Sequence, residues 1–184
     1  MALKNAILAA LLDKEASGYD LAKAFDSSVA NFWTATPQQL YRELDKLAGD
    51  GLIEARVVEQ ERRPNKKMFR LTGEGAEALA AFTATAAKPT AVRDELLVKV
   101  QAVDSGDLPA VSAAIAARRE SAQAKLEQYE KLQKRMLGGQ REDDYLAKSP
   151  RVGPYLTLLR GIAFERENIA WAERCLSVLA QRTS

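Results

Sequence analysis

Along the first forty residues the apolar positions fall at helical spacing. Leu3, Ile7 and Leu11 lie four apart with Ala6 and Ala10 beside them, which predicts a helix over residues 2–12. Ser17 with Asp20 three residues later forms a capping signal, and Tyr19, Leu21, Ala22 and Phe25 supply a second short amphipathic helix. Thr36, Pro37, Gln38 and Gln39 then combine a threonine cap, a proline at the first helical position and a glutamine three residues after the cap. The helix they start keeps Leu40, Leu44 and Leu47 on one face, leaves Gln38, Gln39, Arg42, Asp45 and Lys46 largely on the others, and stops at Gly49, Asp50 and Gly51. The pattern next changes to two strands, residues 52–58 and 67–71, joined by a charged turn around Pro64 and Asn65. Thr72 caps a further helix directed toward Lys88, where Pro89 breaks it. Helix, helix, helix, hairpin, helix is the order of a winged helix-turn-helix, with residues 36–48 in the recognition position.

Beyond Pro89 the chain becomes charged, alanine-rich helix. A helix over residues 91–103 precedes one over 108–137, in which Leu108, Ile115, Ala122, Tyr129 and Met136 lie seven apart and Val111, Leu126 and Leu132 widen the stripe. Gly138 and Gly139 end it, and residues 140–153 read as a polar loop. The last helix carries two more sets spaced by seven: Tyr155, Ile162, Ile169 and Leu176, and Leu158, Glu165, Ala172 and Leu179. Such stripes predict a coiled-coil-like packing face between two copies of the chain, with Glu165 a polar interruption that either fixes register or faces water. The expected fold is therefore mainly α: a winged helix-turn-helix with a small two-stranded β-hairpin wing over residues 1–88, then an antiparallel, coiled-coil-like helical dimerisation domain over residues 89–184.

Composition narrows the chemistry. The 184 residues are 47% hydrophobic and 28% charged, an ordinary globular balance. There is no histidine, which removes Ser-His, Cys-His and His-metal chemistry together. No GxxxxGK[ST] or GxGxxG sequence offers a phosphate loop. The single cysteine, Cys175, supplies neither an internal disulfide nor a zinc cluster, and beside Leu176 it reads as a buried, inert thiol. No apolar run is long enough to span a bilayer and no leader is evident, so the expectation is a cytoplasmic protein with no membrane partner. It is expected to have no cofactor, no metal and no enzymatic activity.

The formal charge of +2 is too small to name a partner, but its distribution is informative. Arg62, Arg63, Lys66, Lys67 and Arg70 place five cations in nine residues without an acid among them. With Asn65 they sit on the hairpin tip, where they can meet phosphates or enter a minor groove. Gln38, Gln39 and Arg42 stand near the start of the third helix, where amide and guanidinium groups can pair with adenine and guanine edges; Thr36 at its cap joins this candidate set. The same features also fit a winged-helix protein-interaction module that does not touch DNA, in which the helix face and charged turn are simply solvated.

GYDLAKAF (18–25), FWTATPQQLYRELDKLAGDGLIE (32–54), KKMFRLTGEG (66–75) and LLRGIAFERENIAWAERCL (158–176) together resemble the PadR family of transcriptional regulators. The likeness is to the longer subfamily, whose multi-helix C-terminal half is similar to that of virulence-activator regulators. It implies a homodimer on a near-palindromic operator, most often repressing, with some members released by a small aromatic compound. On matching positions it implies backbone-contacting roles for Tyr19, Tyr41 and Lys66 or Lys67, and an effector pocket between the two domains that Phe25, Phe32, Trp33, Phe164 and Trp171 could line if they are not simply core. Glu43 and Asp45 depart from a strongly basic recognition helix.

Overall fold

The computed structural model describes residues 2–27, 35–59, 65–87 and 93–182. The chain divides into two compact units, Met1–Lys88 and Pro89–Ser184.

In the first unit, α1 (Ala2–Ala10), α2 (Gly18–Ser27) and α3 (Pro37–Gly49) pack their leucine and isoleucine faces together. Ile7, Leu8 and Leu11 meet Leu21 and Phe25 of α2 and Leu40, Leu44 and Leu47 of α3, all buried. The start of α3 follows the sequence signal closely. Thr36 Oγ1 accepts from Gln39 N at 3.2 Å while Gln39 Oε1 accepts from Thr36 N at 3.0 Å, satisfying two backbone donors that a helix start leaves open.

The strands are β2 (Ile53–Val58) and β3 (Lys66–Leu71), antiparallel, with Ile53 opposite Leu71 and Val57 opposite Lys67. The expected two-stranded wing gains a third strand. β1 (Ala16–Ser17) pairs with β3 to give the order β1-β3-β2. Two residues are too few to show an alternating pattern, and Ser17 doubles as the cap of α2: its hydroxyl accepts from Asp20 N at 3.1 Å and donates to Asp20 Oδ2 at 2.8 Å. The closing helix α4 (Gly73–Thr83) starts at the Thr72 cap but ends five residues before Lys88. Its last turn is closed by Thr83 and Thr85 hydroxyls donating to Ala80 and Phe82 carbonyls, a local alternative to continuing the helix. Gly75 is required in the first turn of α4, because a Cβ would collide with the Leu52 carbonyl.

The second unit is built on α6 (Leu108–Leu137) and α8 (Gly153–Arg182). α6 begins at Asp107, whose carboxylate accepts from Ala110 N at 2.9 Å, and ends at Gly138 in the left-handed region, φ 56°. The two helices run antiparallel: Val111 and Ile115 pack with Ala172 and Leu179 at one end, Leu126 and Tyr129 with Leu158 and Ile162 at the other. α5 (Glu95–Gln101), shorter than the helix expected over 91–103 and followed by a 3₁₀ turn at Val103–Ser105, adds Leu96 to the first cluster.

This arrangement corrects one expectation, the polar loop, and packs the heptad stripe between α6 and α8 of the same chain. Ile115, Ala122, Tyr129, Tyr155, Leu158, Ile162, Ala172 and Leu179 are buried in the single chain, and Leu108, Ile169 and Leu176 are partly buried against the same clusters. The heptad period specified a helix–helix seam correctly, but period alone does not say whether the partner helix belongs to the same chain. The polar loop of residues 140–153 contains α7 (Glu142–Lys148), with three acids in its first turn and Lys148 in its last, both favourable to the helix dipole. Its Tyr145 ring lies 5.1 Å from that of fully buried Tyr155, so one tertiary contact anchors a segment with no apolar stripe. Glu165 is buried, not solvated: it accepts from Asn168 Nδ2 at 3.1 Å and lies 3.8 Å from Lys125 Nζ.

Candidate nucleic-acid interface

With Leu40, Leu44 and Leu47 committed to the core, α3 turns Gln38, Tyr41, Arg42, Asp45 and Lys46 to solvent. Gln39 is also exposed, but its side-chain oxygen is held by Thr36 N. The expected bidentate pairing of Gln39 with adenine needs both the oxygen and the amine of the amide, so that oxygen must first leave the capping box. Thr36 is occupied in the same way, as an acceptor for Gln39 N. Gln38 and Arg42 carry no such commitment to the cap.

Tyr41 and Tyr19 stand near the start of α2. Tyr19 is 70% exposed and Tyr41 46%. The Tyr41 ring covers Gly18, where any Cβ would overlap it, so the glycine admits the ring to this position. The family resemblance singled out both tyrosines as backbone contacts, while the Gly18 contact that seats Tyr41 has no signature along the chain.

The wing brings Lys66 and Lys67 to opposite faces of β3. Lys67 lies with its ammonium 5.3 Å from the centre of the Phe69 ring and 2.8 Å from Asp45 Oδ1 on α3. Lys66 reaches Asp20 Oδ2 on α2 at 2.9 Å. That hydrogen bond, with a further one from the Ser17 hydroxyl, holds the Asp20 carboxyl below the usual carboxylate range. Two arginines on the sheet are paired as well: Arg70 donates to Glu54 at 2.8 Å across the β2/β3 ladder, and Arg56 makes a two-pronged pair with Glu15. Sequence reading missed all four acids as partners, because each pair joins positions at least 16 residues apart and depends on strand register. Arg62 and Arg63 lie outside the described residues; Asn65 is exposed at the base of the hairpin turn.

The aromatic residues of the expected pocket are divided between the two units. Phe25 is buried in the core of the first unit, and Phe32 and Trp33 lie outside the described residues. In the second unit Phe164 is 45% exposed, with the Arg160 guanidinium 5.4 Å from its ring centre, and Trp171 packs partly buried against the α5–α6–α8 cluster. Cys175 is half-buried there, and desolvation pushes its thiol above the ordinary value, as suits an unreactive side chain. Among the described residues no group of acidic or cysteine side chains is placed to hold a metal, and no helix is long and apolar enough to cross a membrane.

Three helices, a lysine-bearing hairpin and a closing helix define a winged helix-turn-helix protein. Residues 7–81 match the transcriptional regulator PadR-like family, and residues 92–180 match the virulence activator alpha C-terminal domain. The chain is 32% identical to the probable transcriptional regulator Rv1176c of Mycobacterium tuberculosis over 99% of its own length and all of that protein. It is similar to the crystal structure of Bacillus subtilis PadR in complex with operator DNA, at 29% identity and TM-score 0.78, covering 97% of this chain and 99% of the other. PadR in complex with p-coumaric acid matches at 28% identity and TM-score 0.70, over 97% and 95% of the two chains. The chain belongs to the PadR-like family of transcriptional regulators, which are DNA-binding regulators and not enzymes.

Proposed function

We propose that this chain is a homodimeric repressor that binds a near-palindromic operator through α3 and the β2–β3 wing. The observation that carries the reading is that the wing's Lys67 meets Asp45 on the exposed face of α3, the helix that also presents Gln38 and Arg42 to solvent. Phosphate contacts set affinity and base-edge contacts set sequence, so the roles divide. Arg42 and Gln38 read base edges, with Gln39 joining them if the capping box opens; Lys66, Lys67, Asn65, Tyr19 and Tyr41 hold the backbone, together with Arg62 and Arg63. Thr36 orients the helix start. The division of the chain is a DNA-binding domain over residues 1–88 and a dimerisation domain over 89–184.

Since the α6–α8 seam is closed within the chain, self-association falls to the apolar side chains the second unit leaves in water. Leu97 and Val98 of α5 and Leu156, Phe164 and Val178 of α8 are 39–69% exposed. Phe164, Trp171 and Val178 also lie seven apart, a third set on α8, with Trp171 partly buried. Large apolar side chains grouped on one unit are a recognised mark of an interface. A small aromatic acid is the effector class this reading favours, because PadR of B. subtilis has been solved with p-coumaric acid.

A mobility shift with the DNA flanking the chain's own coding region tests the proposal. The expected result is a discrete complex that survives unrelated competitor DNA and is dissolved by a hydroxycinnamic acid. Absence of any complex at low salt would leave the protein-interaction module as the reading.

A further inference from the structure

The two lysine pairs differ from the Arg70–Glu54 pair in what they connect. Arg70 and Glu54 face each other across one ladder, so their pairing stays within the sheet. Lys66 and Lys67 instead tie the wing to the two helices beside it, through Asp20 in the first turn of α2 and Asp45 on the exposed face of α3. The four side chains are 39–69% exposed, so water and salt weaken both pairs and neither is worth much to the fold. A lysine ammonium meets a carboxylate or a phosphate oxygen as a point charge with the same hydrogen-bond geometry. Asp45 carries the further consequence that, once released, its carboxylate stands on the face of α3 offered to DNA.

We propose that Asp20 and Asp45 are internal stand-ins for DNA phosphate, holding Lys66 and Lys67 in the free protein and exchanging them for the duplex backbone on binding. The inference rests on the DNA-binding reading above. Binding is then an exchange of ion pairs, so the acids set a threshold on affinity for any duplex, and base-edge contacts are needed to bring the complex above it. They are the counterweight to a wing that would otherwise hold random DNA tightly.

The test is a double-mutant cycle on the full chain, read by fluorescence anisotropy with the promoter fragment and a scrambled duplex of equal length. Asp45→Asn should tighten both duplexes by about fivefold to tenfold and steepen the salt dependence by about one ion. In a Lys67→Gln background the same substitution should gain clearly less, because only the repulsion between Asp45 and the duplex is then relieved and there is no lysine left to release. An equal gain in both backgrounds would show that Asp45 merely repels DNA, and no gain in the native background would show that the pair is not exchanged; either overturns the proposal. Failure of the native chain to bind any duplex would instead remove the reading on which it rests. A readout without DNA is the Asp20 carboxyl titration followed by carbon NMR. It should move up toward the ordinary aspartate range in Lys66→Gln, and an unchanged titration would mean that the pair does not persist in solution.

Discussion

The Tyr41 ring of the third helix occupies the space above Gly18 at the start of the second, leaving no room for a side chain on that glycine. The contact seats an exposed aromatic of the recognition helix against the capped first turn of its neighbour. Gly18→Ala must therefore displace the ring. Because the ring is half exposed and can swing aside, the expected outcome is little change in stability together with weaker binding to every duplex. Thermal melts and anisotropy titrations measure both, and a variant that binds as well as the native chain would show that Tyr41 has no part in the interface.

Removing the Thr36 cap tests how far α3 depends on its first turn. Thr36→Ala leaves Gln39 N without its side-chain acceptor, while the backbone N–H of residue 36 can still donate to Gln39 Oε1. A cost of about 1 kcal/mol is expected, or roughly 4–8 °C in the melting temperature of a small domain. Thr36→Ser should restore most of it.

Core and interface in the second unit separate by substitution. Ile162 is buried between α6 and α8, so Ile162→Ala should cost about 2–5 kcal/mol while leaving the oligomeric state unchanged. Phe164→Glu combined with Val178→Glu, on the exposed stripe, should do the reverse: helical signal retained, dimer lost by light scattering. A dimer that withstands the double change would place self-association elsewhere.

Acid sensitivity follows from Asp94. It caps α5 through Leu96 N at 3.0 Å and takes two hydrogen bonds from Arg118, and those from Arg118 chiefly hold its carboxyl below the usual range against an opposing effect of burial. Because the folded value is lower than the unfolded one, the stabilisation is present above about pH 4 and is lost as pH falls through the folded value. Asp94→Asn keeps a capping side chain but no charge. Its melting temperature should lie below that of the native chain at neutral pH and converge with it under strongly acidic conditions. A constant gap down to acid would assign the effect to geometry alone.

Elements whose signals are local were legible in the sequence. The Thr36 and Thr72 caps, Gly138 and the two 30-residue helices each depend on residues within a turn of one another. Features that depend on a distant partner were not. β1 exists because β3 offers it a pairing edge, α7 because Tyr145 finds Tyr155, and the wing lysines are answered by acids 22 and 46 residues away. The α6–α8 seam falls between these cases: its period was readable, while the identity of its partner required the fold.

The central claim is that α3 and the wing grip a specific duplex electrostatically. Anisotropy titrations of the promoter fragment and its scrambled counterpart, repeated from about 50 to 200 mM salt, test it most directly. If each subunit neutralises roughly three or four phosphates, affinity for the promoter should fall on the order of a thousandfold across that range. Lys66→Ala with Lys67→Ala should weaken both duplexes alike, and Arg42→Ala should narrow the preference between them. A flat salt response with equal affinity for the two duplexes would contradict the account.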